Sequence, residues 1–122
     1  MEKFYKPNTV AILFNEKLGD SEDLANKIKN NISDDFEVFV QSVGVSLQNN
    51  LPSNPDLLIS IGGDGTILRC AKVLNGTNCP ILGINMGNLG FLCEIDSSDV
   101  DSKLQKYLSG DAVIETRNKL KI

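Results

Sequence analysis

The stretch from Asp56 to Leu74 constrains this chain more than any other, because an apolar run, a glycine cluster and a helical pattern follow one another without a break. Asp56-Leu57-Leu58-Ile59-Ser60-Ile61 is short, apolar and bounded by Pro55 and Gly62, the pattern of a strand buried in a parallel sheet. Ile67, Cys70, Ala71 and Leu74 then fall at the i, i+3, i+4, i+7 spacing of one helix face, with Arg69 and Lys72 off it. Strand alternation fails there, so a hairpin is disfavoured. A further apolar run, Pro80-Ile81-Leu82-Gly83-Ile84, completes a strand, helix and strand unit, which requires a parallel crossover.

The rest of the chain repeats this grammar. Thr9-Val10-Ala11-Ile12-Leu13-Phe14 reads as a first strand, followed by a turn around Gly19 and a helix opened by Asp20 or Ser21, with Leu24, Ala25, Ile28 and Ile32 on its apolar face. Phe36, Val38 and Val40 mark a second strand, and Ser46 to Pro55 reads as loop. Val100, Leu104, Tyr107 and Leu108 give a last helix, closed by Gly110 as a C-cap. From Ile114 to Ile122 the residues alternate in polarity, the mark of a half-exposed antiparallel strand. The expected fold is an open, mostly parallel α/β sheet with helices on both faces over 1–111. Residues 112–122 are expected to be the opening strand of a second domain that this chain does not contain.

Gly62-Gly63-Asp64-Gly65-Thr66 stands where the buried strand gives way to the helix. Glycines let backbone N–H groups approach a ligand and adopt positive φ, so Gly62, Gly63 and Gly65 can wrap a polyphosphate. Thr66 reads as the N-cap of a helix whose positive end attracts an anion. A carboxylate beside phosphates is repelled unless a divalent metal or a hydroxyl nucleophile gives it a reason to be there. Asp64 could accept a proton from an attacking hydroxyl while the loop holds donor phosphates. It could also belong to an Asp-Gly turn of purely geometrical origin. The loop is neither a P-loop, since no Gly-Lys-Ser/Thr follows, nor a Gly-x-Gly-x-x-Gly fingerprint. A second glycine-rich segment, from Gly83 through Asn85, Gly87, Asn88 and Gly90 to Phe91 and Leu92, follows the next strand. Carboxyl ends of parallel strands share one edge, so both loops should face one crevice, where Asn85 and Asn88 offer hydrogen bonds and Phe91 a flat surface. Asn in a turn and Phe in a loop core are the plain alternatives.

Composition narrows the chemistry. The 122 residues are 41% hydrophobic and 23% charged, as in an ordinary globular domain, and a net charge of −4 argues against a nucleic-acid surface. No segment resembles a signal peptide or is long enough to span a bilayer, so a cytoplasmic location without membrane attachment is expected. Cys70, Cys79 and Cys93 lack metal-ligand spacing and read as buried free thiols. The absence of histidine removes the usual general base and any Ser-His or Cys-His pairing, which raises the importance of Asp64.

With Gly62-Gly63-Asp64-Gly65-Thr66 followed by Ile67-Leu68-Arg69, and Gly83-Ile84-Asn85 leading to Gly87-Asn88-Leu89-Gly90-Phe91-Leu92, the chain resembles the NAD kinase family over nearly its whole length. The first motif is shared with diacylglycerol and sphingosine kinases and, more loosely, phosphofructokinases; the second points to NAD kinases. The resemblance implies transfer of a phosphoryl group from ATP or polyphosphate, with a divalent metal, taken to be Mg2+, to the 2′-hydroxyl of the adenosine ribose of NAD. It implies that Asp64 engages this hydroxyl, that Asp64, Gly65, Arg69 and Phe91 border the dinucleotide, and that Gly62, Gly63, Gly65 and Thr66 shape the phosphate loop. For Arg69 the plain alternative is a solvated helix residue. An Asn-Glu pair and further dinucleotide contacts belong to the family's second domain, so this chain alone is expected to be weak or inactive, and the full-length enzyme a homo-oligomer. The other readings are a lipid or sphingoid-base kinase relative and a nucleotide-binding module without chemistry.

Overall fold

Apolar runs without polar alternation must be covered on both faces, and the two longest such runs lie side by side at the centre of one sheet. The computed structural model describes residues 2–4, 7–86, 92–93, 95–108 and 113–115. Within them the chain runs β1 (Glu2–Phe4), β2 (Thr9–Phe14), α1 (Ser21–Ile32), β3 (Glu37–Ser42), α2 (Val43–Asn49), β4 (Leu57–Gly62), α3 (Asp64–Leu74), β5 (Ile81–Asn85), β6 (Ile95–Asp96), a 3-10 turn (Ser97–Asp99), α4 (Val100–Leu108) and β7 (Val113–Glu115). The main sheet has the order β3-β2-β4-β5-β6, and every pairing in it is parallel. This is the open α/β sheet expected from the sequence.

Side-chain alternation sorts the central strands into two cores. Val10, Ile12 and Phe14 of β2 and Leu57, Ile59 and Ile61 of β4 pack with Ala25, Ile28 and Ile32 of α1 and Val100, Leu104 and Leu108 of α4. Ala11 and Leu13 of β2 and Leu58 of β4 pack on the other face with Val43 of α2 and Cys70 and Leu74 of α3. Helices therefore cover both faces, as the continuous apolar runs require. Among the described residues no helix is long and apolar enough to cross a membrane.

The stretch from Ser46 to Pro55 is not all loop. Val43–Asn49 forms α2, because the Ser42 side chain accepts the Val45 N–H at 3.1 Å as an N-cap and Ser46 Oγ donates to Gln41 Oε1 at 2.6 Å. Seven residues give too little periodicity to announce a helix, and Val-Gly-Val reads locally as extended chain. The N-terminal segment also pairs. β1 runs antiparallel to β7, with Lys3 opposite Ile114, as a separate two-stranded ribbon. Antiparallel pairing at Ile114 fits its alternating polarity; Gly110 and residues 116–122 lie outside the described residues.

The amino-terminal edge of the sheet is tied by Asp56, whose Oδ2 accepts the N–H groups of both Asn8 and Thr9 at 3.0 Å. This fixes where β2 and β4 begin relative to each other, and so where both end. Asp56→Ala removes a charged acceptor from two amides and should lower unfolding stability by about 1–3 kcal/mol, with Asp56→Asn costing less; urea midpoints would check this.

Of the cysteines, Cys70 is buried and Cys79 and Cys93 are half-buried, all as free thiols. Burial pushes the Cys70 thiol up from 9.0 to about 12, with the Ser60 hydroxyl and the Arg69 charge pulling it partly back. Burial, with the Asp56 carboxylate adding to it, also pushes Cys79 up to about 12, against a smaller downward pull from the Leu58 backbone. The unfolded chain sheds these protons near pH 9 while the folded chain keeps them, so stability should fall as pH rises from 9 towards 12. In thiol titration at pH 8, Cys70 and Cys79 should stay unmodified until denaturant is added.

Candidate active site

Parallel strands deliver their carboxyl ends to one edge, and here that edge gathers Asn15 and Glu16 after β2, Ser42 at the end of β3, the glycine loop at the end of β4, Asn85 at the end of β5 and Asp96 at the end of β6. The glycine loop is short because strand and helix nearly abut. Gly63 caps α3 in an extended conformation, φ −136° and ψ −162°, and Asp64 is already helical. The Gly63 N–H donates to Thr66 Oγ1 at 3.4 Å, and the Thr66 and Ile67 amides donate back to the Gly63 carbonyl at 3.1 and 3.2 Å. Thr66 is thus not the N-cap expected from the sequence. It is the third residue of the helix, 3% exposed, and it lies against Gly62, where an added Cβ would collide with its side chain.

The glycines also work differently from expectation. None of Gly62, Gly63 and Gly65 takes a positive φ; among the described glycines only Gly76, beyond α3, does. The loop needs the missing side chains instead. At Gly62 the space is taken by Thr66, whereas a Cβ at Gly63 or Gly65 would meet nothing within 4 Å. The surface is therefore open at the residues on either side of Asp64, which begins an eleven-residue helix at its positive end.

The second loop does reach the first. Gly62 and Asn85 are register partners, the Met86 N–H donates to the Gly62 carbonyl at 2.7 Å, and the Leu92 N–H donates to Asp64 Oδ1 at 3.0 Å. The two loops leave the sheet side by side and meet again at Asp64. Phe91, Gly87, Asn88 and Gly90 lie outside the described residues. Asn85 hydrogen-bonds the Asp96 side chain. Asp96 accepts the Ser98 hydroxyl at 2.7 Å and its amide at 3.1 Å; these bonds, with smaller pulls from Asn85 and Lys103, hold its carboxyl below the ordinary range. Asp96-Ser97-Ser98 ahead of α4 is a capping pattern that could have announced this residue.

Arg69 stands apart from Asp64. Five residues along α3 turn the helix by about 140°. Asp64 faces the Leu92 flank, whereas Arg69 Nη2 lies 3.8 Å from Glu16 Oε1, beyond β2. The other Glu16 oxygen accepts the Gly44 N–H of α2 at 3.0 Å. Neither Glu16 nor Gly44 carried a signal in the sequence, because their meeting depends on three separate connections of the sheet.

A groove of about 490 Å³ lies at the opposite edge, between the carboxyl ends of α2 and α3, lined by Leu51, Asp56, Val73, Thr77, Asn78 and Cys79. Helix carboxyl ends and the Asp56 carboxylate make it unfavourable to phosphates. The glycine edge is the one suited to an anion, provided a cation accompanies it past Asp64. Among the described residues no three His, Cys, Asp or Glu side chains group as a metal site.

Comparison with known proteins agrees with this geometry. The family model of the ATP-NAD kinase N-terminal domain matches residues 3–112. The chain is 44% identical over 84 residues to the NAD kinase of Clostridium tetani, covering 69% of this chain and 31% of that protein. It is 39% identical over 110 residues to the NAD kinase of Clostridium beijerinckii, covering 84% and 37%. A crystal structure of yeast NADH kinase complexed with NADH superimposes with a TM-score of 0.70 at 22% identity, over 89% of this chain and 40% of that one, which shows the fold. The chain thus spans well under half the length of the relatives it matches. With the family model spanning almost all of its length and the glycine-flanked Asp64 at the carboxyl edge of a parallel sheet, this chain belongs to the NAD kinase family, as its N-terminal domain.

Proposed function

We propose that this chain is the phosphate-loop half of an enzyme that phosphorylates the 2′-hydroxyl of the adenosine ribose of NAD. The observation that carries this reading is Asp64, flanked by the open positions at Gly63 and Gly65 and tied to the far end of the second loop through the Leu92 amide. A ribose hydroxyl set beside that carboxylate can pass its proton to Asp64 as its oxygen attacks the terminal phosphorus of the donor. The new O–P bond forms as the bond to the leaving ADP or shortened polyphosphate breaks.

The glycine edge is assigned to a metal-bound polyphosphate, with Gly63 and Gly65 leaving its surface open and Thr66 packed against Gly62 to shape the loop from beneath. Magnesium is assigned to the donor's phosphates, where it would neutralise charge that Asp64 otherwise repels. NAD is placed across the crevice mouth, with Gly65, Arg69 and Phe91 along it. Residues 112–122 are assigned to the start of a β-rich second domain that supplies the remaining dinucleotide contacts.

Two outcomes are expected. The full-length product of the gene encoding this chain should form NADP from NAD and ATP or polyphosphate, whereas residues 1–122 alone should be weak or inactive. In the full-length protein Asp64→Asn should lower kcat by about 10²–10⁴-fold with little change in NAD binding. Undiminished turnover by that variant would exclude Asp64 as the base, and phosphorylation of a lipid in place of NAD would move the protein to the lipid kinase branch. Gly62→Ala tests the loop scaffold: it should cost about 1–3 kcal/mol of stability by urea denaturation, and less than additively when combined with Thr66→Ala.

A further inference from the structure

Glu16 sits at a junction that the proposed reaction does not use. It leaves β2 at the carboxyl edge, places one carboxylate oxygen on the Gly44 N–H of α2 at 3.0 Å, and the other 3.8 Å from the Arg69 guanidinium of α3. A Cβ added at Gly44 would run into the Glu16 carboxylate, so the carboxylate approaches the helix backbone through the space that a side chain would fill. Among the described residues Arg69 makes this one charge contact and no hydrogen bond, and its side chain is 32% exposed.

An exposed ion pair between two free side chains orders neither of them well, because both must give up rotamers for a weak attraction. Here one partner is already fixed. The charge-assisted bond from the Gly44 amide restricts the Glu16 carboxylate, so the guanidinium meets a charge with fewer rotamers left to give up. Its five N–H donors are fixed in a planar fork, and a contact at 3.8 Å occupies none of them as a hydrogen bond. The result is an oriented cation beside the carboxyl end of β2 with its donors still available to an anionic ligand.

We infer that Glu16 is a positioning residue for Arg69, anchored by the Gly44 amide, and that it sets how the NAD-facing rim receives the dinucleotide. This rests on the reading of Arg69 as bordering NAD. Two substitutions test it by different routes. Glu16→Gln keeps an acceptor for the Gly44 amide but removes the charge that holds Arg69. Gly44→Ala keeps every charge but displaces the carboxylate, which is the far end of a flexible side chain and can yield without unfolding the domain; alanine is also the better helix former.

Two measurements suffice. On residues 1–122, 15N relaxation of the Arg69 side-chain Nε–H should show an ordered group in the parent chain and a lower order parameter in both variants. Equal mobility in all three overturns the inference, whatever the ligand. In the full-length protein, KM for NAD should rise about two- to fivefold in each variant with kcat unchanged, and Glu16→Gln should add nothing in an Arg69→Gln background. If Arg69→Gln raises KM while Glu16→Gln and Gly44→Ala do not, the positioning role is overturned and the place of Arg69 beside NAD survives. If Arg69→Gln leaves KM unchanged, that place fails and the proposed effect on the dinucleotide falls with it.

Discussion

Strand β4 is buried along its whole length and hydrogen-bonded on both flanks, and the position of the glycine loop follows from where it stops. Leu57, Ile59 and Ile61 face one helix layer and Leu58 the other, so the strand cannot slip by one residue without reversing both cores. Its register therefore fixes Gly62 at the carboxyl edge to within one residue. Because Gly63 is the only residue between β4 and α3, Asp64 inherits that precision with almost no loop to absorb error.

The edge is built from acids as much as from glycines. Asp64, Glu16 and Asp96 each spend a lone pair on a backbone amide, from Leu92, Gly44 and Ser98 respectively. These bonds fix the carboxylates in direction. The opposite edge is organised by one acid, Asp56, whose two amide bonds align β2 with β4. Both ends of the sheet thus use the same device, a carboxylate bonded to main-chain N–H groups, for alignment at one end and for placement at the other.

Much of this was legible in the residues. The apolar runs at Thr9 to Phe14 and Asp56 to Ile61 announced central strands, and the spacing of Ile67, Cys70 and Leu74 announced α3 with its buried face. What failed was local and short. Val43–Asn49 was too brief to show a helical period, and its cap depends on one side chain, Ser42. Thr66 looked like an N-cap because such residues commonly serve as one; in the fold Gly63 takes that place, since Thr66 is needed to fill the space above Gly62.

The sequence by itself determined the layer architecture, the crossover that carries Asp64 and the family to which the chain belongs, because those depend on hydrophobic period and on contiguous motifs. Only the tertiary structure decided which groups meet: Asp64 with the Leu92 amide across 28 residues, and Glu16 with Gly44 and Arg69 across three elements. The physical reason is that a parallel sheet brings together the ends of strands in spatial order β3-β2-β4-β5-β6, not in chain order. Residues that no local pattern connects become neighbours there, and the chemistry of the edge is settled by that order.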